Sequence, residues 1–128
     1  AVSPDERLLA FHLGSYPSPD MSSLMVVPTA GGEARAVYSI KAPQQFTFGA
    51  FTWSLDMKYI YALFGAEQQA IWQIPLEGGE PLKIGLGRPR MKILRMNPDG
   101  RTIAFQAGEP KTEVWVLEHF LPTENARR

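Results

Sequence analysis

The sequence repeats itself three times, and this repeat restricts the possible fold more than any other feature. A polar turn followed by an apolar segment occurs at residues 3–11, 54–62 and 97–105. A second apolar segment follows in each copy, at residues 24–27, 71–74 and 114–117. The second and third copies are 43 residues apart, from 54 to 97 and again from 71 to 114. A repeat of roughly 40–50 residues, made of short apolar segments and tight turns, is typical of β-propeller blades.

The complete middle copy predicts one four-stranded antiparallel blade. Its strands are expected at residues 48–53, 59–64, 70–75 and 82–86. Residues such as those of Asn97-Pro98-Asp99-Gly100 favour the turn between the first two strands, because proline presets φ, aspartate bonds nearby backbone and glycine tolerates positive φ. The Gly31-Gly32 and Gly78-Gly79 pairs predict hairpins between the third and fourth strands. The first and third copies each lack one strand.

The predicted fold is therefore all-β, with about three four-stranded blades of which the terminal two are incomplete. We place the propeller segment at residues 1–122, with blades at about 1–45, 46–88 and 89–122, and a disordered tail at 123–128. Propellers typically close with about four to eight blades. Three blades predict a fragment of a larger propeller, or a protomer that completes a ring with other chains.

The repeats resemble the WD40-like propeller repeats of the TolB type, also called the PD40 family. The resemblance rests on Trp53-Ser54-Leu55-Asp56-Met57-Lys58 and on residues 97–105, and it covers about residues 2–117. Leu55 and Met57 stand where proline and glycine are usual, so the middle turn is expected to differ in geometry. Residues 114–122 resemble the C-terminal part of such propellers in larger bacterial multidomain proteins, some of which carry a serine/threonine kinase domain. This chain contains no kinase motif.

Composition excludes several classes of function. The 13 basic and 13 acidic residues give a formal charge of zero, which argues against a nucleic-acid partner. Without cysteine there is neither a disulfide nor a thiolate metal site. No segment of about 18 apolar residues predicts membrane insertion, and no signal peptide is visible. The compartment stays open, although the resemblance favours a periplasmic or other extracytoplasmic location.

Three repeated carboxylates, those of Asp5, Asp56 and Asp99, are candidates for chemistry. Because they recur at equivalent turn positions, we interpret them as structural turn residues that bond nearby backbone. No Asp-x-Asp-x-Asp pattern predicts a calcium loop, and no cofactor or metal is expected.

Neither histidine belongs to a catalytic motif. His12 and His119 are expected at the surface or at strand ends, and no Gly-x-Ser-x-Gly or His-Glu-x-x-His motif occurs. The chain is therefore predicted not to be an enzyme. Any catalytic activity would belong to another part of a larger protein.

Two other groups of residues could contact a partner. Arg88, Arg90 and Lys92 form the most basic segment, which is either a partner-binding loop or a solvated connection between blades. The tryptophans could stack on sugars or bases, but their equivalent strand positions favour packing between blades. They are Trp53, Trp72 and Trp115.

The sequence favours a non-catalytic module that binds a protein, a peptide or another ligand. The alternative is a regulatory or sensor propeller domain of a larger enzyme, such as a bacterial serine/threonine kinase or a peptidase. Because terminal blades expose apolar faces and unpaired strand edges, we also expect a symmetric homo-oligomer in which terminal blades stack or exchange strands.

Overall fold

Ten strands and no helix make up the part of the chain that the computed structural model describes, which is residues 1–67, 69–85, 91–107 and 113–121. The strands are β1 (Leu8–Gly14), β2 (Met21–Pro28), β3 (Arg35–Lys41), β4 (Gln45–Trp53), β5 (Tyr59–Gly65), β6 (Ala70–Pro75), β7 (Leu82–Gly85), β8 (Lys92–Met96), β9 (Thr102–Ala107) and β10 (Glu113–Glu118). Within those ranges, no helix is long and apolar enough to cross a membrane.

The strands form three antiparallel sheets in the order of the sequence repeats. Sheet 1 is β1-β2-β3, sheet 2 is β4-β5-β6-β7 and sheet 3 is β8-β9-β10. Val2 forms an isolated bridge to Leu9, the equivalent of the pair between Trp53 and Ile60 in sheet 2. This arrangement confirms the prediction of an all-β propeller segment with incomplete terminal blades. The exact blade boundaries stay a prediction, and the tail at 123–128 lies outside the described residues.

The largest difference from the predicted strand bounds is in β4. β4 begins at Gln45, three residues before the expected start at 48. Its pairing with β5 shifts register between Phe46 and Phe51, and Gly49 lies there at a φ of +73°. Such a bulge interrupts the alternation of buried and exposed side chains that a sequence pattern relies on, so the pattern does not indicate the first three residues of the strand.

The core consists of two apolar layers, one on each side of sheet 2. β5 shows this directly, because Ile60 and Ala62 face sheet 1 whereas Tyr61 and Leu63 face sheet 3. Successive side chains of a strand point to opposite faces, so a run of buried residues requires a neighbour on both sides. The layer between sheets 1 and 2 contains Ala10, Leu24, Val26, Val37, Ile40, Phe51, Trp53, Ile60, Ala62, Phe64, Ile74 and Leu76. The layer between sheets 2 and 3 contains Ala50, Tyr61, Leu63, Ile71, Met91, Leu94, Ile103, Phe105 and Phe120.

All three tryptophans lie in these layers. Trp53 is buried between sheets 1 and 2. Trp72 packs against the same layer and stacks on Phe64, with ring centroids 4.9 Å apart. Trp115 packs against the layer between sheets 2 and 3. These contacts are those of residues that hold blades together.

Polar contacts supplement the apolar layers between sheets. The Met96 backbone N–H donates to Thr52 Oγ1 at 3.2 Å, which joins β8 to β4. The Arg35 guanidinium donates to the Leu76 carbonyl at 3.0 Å. Because these bonds are directional, they fix the relative positions of sheets that apolar packing alone would leave free to slide.

The three repeated turns have one geometry. The backbone N–H of the fourth turn residue donates to the carbonyl of the first at 2.9 Å (Glu6 to Ser3), 3.3 Å (Met57 to Ser54) and 2.9 Å (Gly100 to Asn97). The donors have φ values of 63°, 67° and 71°. The expectation of a different middle turn is therefore wrong. The Asp56 carboxylate, which accepts from Lys58 N and Ser54 Oγ, is present in this copy too and supports the left-handed Met57.

The Gly-Gly pairs lie in the predicted hairpins. Gly31 and Gly78 both have a φ of +101°, and their N–H groups donate to Pro28 and Pro75, the last residues of β2 and β6. Equivalent residues of the repeats therefore have the same backbone conformation as well as similar sequence.

The positive φ at the fourth turn position predicts how substitutions there change the free energy of unfolding. We expect Gly100→Ala to lower the free energy of unfolding by about 1–2 kcal/mol, because a side chain is disfavoured in the left-handed region. The added Cβ would also lie 3.0 Å from Leu55 Cδ1.

Glu6 is exposed and has a positive φ in the equivalent turn. Glu6→Gly should therefore raise the free energy of unfolding by about 0.5–1 kcal/mol, because glycine adopts positive φ without a steric penalty. Urea unfolding measures both. A stabilising Gly100→Ala would contradict the assigned turn geometry.

Candidate binding surface

The turns between the first two strands of each repeat meet at one end of the three sheets. Pro4, Leu55 and Pro98, which are equivalent in the repeats, border a shared concave surface there. Its volume is about 390 Å³. The lining residues are Ala1, Val2, Pro4, Thr52, Trp53, Leu55, Met96 and Pro98. We call this surface the turn concavity.

The folded turns hold the turn concavity in shape. Leu55 lies over Gly100, so the second turn packs on the third. The Trp53 indole N–H donates to the Ala1 carbonyl at 3.1 Å, which connects sheet 2 to the segment that pairs with β1. Since Thr52 also accepts from Met96 N, all three sheets are linked at this end.

The lining is mostly apolar and open to solvent. Val2 is 54% and Leu55 45% exposed, although both are large apolar residues. Among the described residues of the lining, none has an acidic, basic or histidine side chain. Such a surface can bury an apolar group of a partner.

The repeated carboxylates lie next to the turn concavity and are used within their own turns. Asp5 Oδ1 accepts from Ser3 Oγ at 2.7 Å and from Arg7 N at 3.0 Å. The hydrogen bond from Ser3 is the main reason that the pKa of Asp5 is lowered. At Asp56 burial raises the pKa, but hydrogen bonds from Lys58 and Ser54 outweigh it and the pKa is lowered overall. Ionised acceptors of this kind stabilise a turn and are poor general acids.

A second concave surface, of about 380 Å³, lies beside sheet 3. Its lining residues are Asp99, Arg101, Thr102, Glu118, His119 and Leu121. The Asp99 carboxylate already accepts from the backbone N–H groups of Arg101 and Thr102, at 2.8 and 3.2 Å. His119 is exposed just beyond β10, as expected. Within the described ranges, no group of three or more His, Cys, Asp or Glu residues could hold a metal ion.

The structure describes only one of the three residues of the basic segment, which is Lys92. Arg88 and Arg90 lie outside the described residues, whereas Lys92 begins β8 with an exposed side chain. The assignment of these three residues to a partner-binding loop stays a prediction.

His12 is half-buried, and the expectation that it lies at the surface or at a strand end is not met. It lies within β1, and its ring stacks on Phe46 and tilts against Phe51 with centroids 4.7 and 4.6 Å away. Its Nε2 is buried and has no hydrogen-bond partner. Burial lowers the pKa of His12 to about 4. The alternation of Leu8, Ala10 and His12 on one face of β1 is the signal that could have placed it inside.

The sequence does not predict that the residues of the turn concavity form one surface. Leu55 was noted for its departure from proline, but the sequence does not say that three turns lie side by side. Because they belong to different repeats, their proximity follows only from the stacking of the sheets. The available signal is Leu55, an apolar residue at the second turn position, where the other two repeats have proline.

Comparison with solved structures gives three examples of the same fold. A protein described as TolB from Agrobacterium tumefaciens aligns with 91% of this chain at 22% identity and a TM-score of 0.71. TolB from Acinetobacter baumannii aligns with 92% at 16% identity and a TM-score of 0.73. A protein described as a dipeptidyl aminopeptidase IV from Bacteroides ovatus aligns with 92% at 15% identity and a TM-score of 0.58.

These similarities show a TolB-type β-propeller fold, which confirms the resemblance noted in the sequence. The aligned region spans 40%, 28% and 22% of those proteins, in the same order. This chain therefore corresponds to a part of each propeller protein. No family model matches the chain, and no curated protein matches it.

The half-buried His12 predicts a pH dependence of stability. Its pKa in the folded chain is about 4, below the value of about 6.5 of an unfolded histidine. The unfolded state therefore binds the extra proton first, and stability falls as the pH decreases from about 6.5 to about 4. Above this window the contribution of His12 is fully present. The slope should not exceed about 1.4 kcal/mol per pH unit.

Unfolding by urea at several pH values between 4 and 7 measures this effect. His12→Phe keeps an aromatic ring between Phe46 and Phe51 but cannot titrate, so it should remove this component of the slope. His119→Gln is the matched control for a histidine in the exposed position. An unchanged slope in His12→Phe would contradict the assignment.

Proposed function

We propose that this chain is a non-catalytic protein-interaction module, which binds a protein or peptide segment at the turn concavity. The observation that carries the proposal is the exposure of Val2 and Leu55 in a concave apolar surface at which all three sheets meet. Exposed apolar residues grouped in a concavity commonly mark interaction sites. The TolB-type fold supports the proposal because propellers present loops and turns from a rigid framework.

The chemistry of the lining favours a peptide over a small polar ligand. Sites for small polar ligands place several charged or hydrogen-bonding side chains around the ligand. In the turn concavity the polar side chains are Thr52 and Trp53, and both already bond within the protein. A partner would therefore gain affinity by burying an apolar side chain between Leu55 and Val2.

The predicted basic segment can add to this interaction. Arg88, Arg90 and Lys92 would favour acidic groups on the same partner, since guanidinium and ammonium groups pair with carboxylates. The regulatory role within a larger enzyme stays a prediction, because the similarity to the dipeptidyl aminopeptidase IV structure concerns the fold alone. Sequencing of the region upstream of Ala1 in the gene would distinguish a catalytic domain there from further blades.

Selection of a random peptide library on the immobilised chain tests the proposal. We expect enriched peptides with an apolar residue, and Leu55→Lys should weaken their binding by at least about tenfold. Loss of leucine burial is worth roughly 1.5–3 kcal/mol, and each 1.4 kcal/mol is a factor of about ten. Fluorescence anisotropy with labelled peptides gives the dissociation constants.

Leu82→Lys is the matched control, because Leu82 is similarly exposed, at 48%, but lies on β7 outside the turn concavity. It should leave peptide affinity unchanged. Equal losses in both variants, or no enriched peptides, would contradict the proposal.

A further inference from the structure

The end of the sheets that carries the turn concavity is acidic. Among the residues of the three turns (3–7, 54–58 and 97–101) and of the two hairpin loops (29–35 and 76–81), seven are acidic and four are basic. The acidic residues are Asp5, Glu6, Glu33, Asp56, Glu77, Glu80 and Asp99, and the basic ones are Arg7, Arg35, Lys58 and Arg101. All of these residues are exposed. Because the whole chain has a formal charge of zero, this excess of negative charge is local and does not show in the composition.

Each of the three repeated aspartates directly follows a residue that lines the turn concavity. Asp5 follows Pro4, and Asp56 follows Leu55. An aspartate is ionised at neutral pH, and within the described ranges neither of these two carboxylates forms an ion pair with a lysine or arginine. Two unpaired negative charges therefore lie beside the apolar lining.

One oxygen of each of these two carboxylates remains available to a partner. Asp56 Oδ1 accepts from Ser54 Oγ at 2.7 Å and from Lys58 N at 3.0 Å, and Asp5 Oδ1 accepts the two equivalent bonds. Neither Oδ2 accepts a hydrogen bond from another residue in the described part of the chain. Because a carboxylate oxygen accepts about two hydrogen bonds, Oδ1 is saturated, whereas Oδ2 can accept from a cation.

We infer that the segment bound at the turn concavity combines an apolar residue with flanking lysine or arginine residues, and that one of these cations pairs with Asp56 Oδ2. The inference rests on the proposed function, because it names the partner of the same surface. The apolar side chain is buried between Leu55 and Val2, and the acidic turn residues lie beside that contact. Charge complementarity therefore favours a basic segment over a neutral or acidic one.

The single available oxygen also predicts how the cation is recognised. Arginine often binds carboxylates better than lysine does, because its guanidinium donates to both oxygens at once. Asp5 and Asp56 offer Oδ2 alone, so this advantage of arginine is absent. Lysine and arginine should therefore bind about equally well.

The basic segment does not cancel the negative charge at the turn concavity. Lys92 begins β8, and Met96 at the other end of that strand borders the concavity. At a rise of about 3.3 Å per residue, the two lie roughly 13 Å apart along the strand. Acidic groups that the basic segment would favour therefore belong to a different part of the partner than the cations beside Asp56.

Fluorescence anisotropy with four labelled peptides tests the inference. The peptides share their length, a glycine-serine frame and two central leucines, and they carry lysine, arginine, glutamine or glutamate at the flanking positions. In about 0.05 M salt, the lysine and arginine peptides should bind within about twofold of each other and at least about fivefold more tightly than the glutamate peptide. In about 0.5 M salt this difference should shrink to about twofold or less, because salt screens exposed charges.

Two variants of the chain locate the charge that is responsible. Asp56→Asn keeps an oxygen that can accept the turn bonds but removes the charge, so it should reduce the preference for lysine over glutamate by at least about twofold. Glu67→Gln is the matched control, because it removes one exposed negative charge between β5 and β6, at the opposite end of sheet 2. It should leave the preference unchanged. Circular dichroism confirms that both variants are folded.

The glutamine peptide, which has no flanking charge, separates failure of this inference from failure of the proposed function. If all four peptides bind equally and Leu55→Lys loses the glutamine peptide, the inference is wrong and the proposed function stands. Tighter binding of the glutamate peptide, or equal effects of Asp56→Asn and Glu67→Gln, would also overturn the inference. If no peptide binds, or if Leu55→Lys retains the glutamine peptide at full affinity, the proposed function fails and the inference fails with it.

Discussion

The structure depends on the coverage of each sheet face by a neighbouring sheet. β5 has five consecutive buried residues that point alternately to the two sides. A strand of this kind cannot be stable in a sheet that faces water on one side, because half of its apolar side chains would be exposed. Sheets 1 and 3 are therefore part of the fold of sheet 2, and each in turn has an outer face of the same apolar character.

This constraint also determines what many of the described side chains do. Side chains on the inner faces of the sheets are used for packing, and the repeated carboxylates accept hydrogen bonds within their own turns. The repeats differ from one another in their turns and loops. Leu55 is an example, since it replaces a turn proline without altering the turn and adds an apolar surface that all three sheets border.

Most of the fold could be predicted from the sequence because it repeats. When apolar segments and turn residues recur at equivalent positions of several repeats, they indicate strands even where a single segment would be ambiguous. The failures have local causes. The bulge in β4 hides its first residues, and Met57 adopts a conformation that its residue type disfavours. His12 packs against rings that belong to another strand. The candidate site was not predictable, because contacts between turns of different repeats depend on how the sheets stack.

The most direct test of the central claim compares two substitutions in β5 that affect opposite faces. Ile60 faces sheet 1 and Leu63 faces sheet 3, and neither is exposed. If both faces are covered, Ile60→Ala and Leu63→Ala should each lower the free energy of unfolding in urea by about 2–5 kcal/mol. A loss below about 1 kcal/mol for either variant would show that its face is not packed against a neighbouring sheet, and would contradict the account.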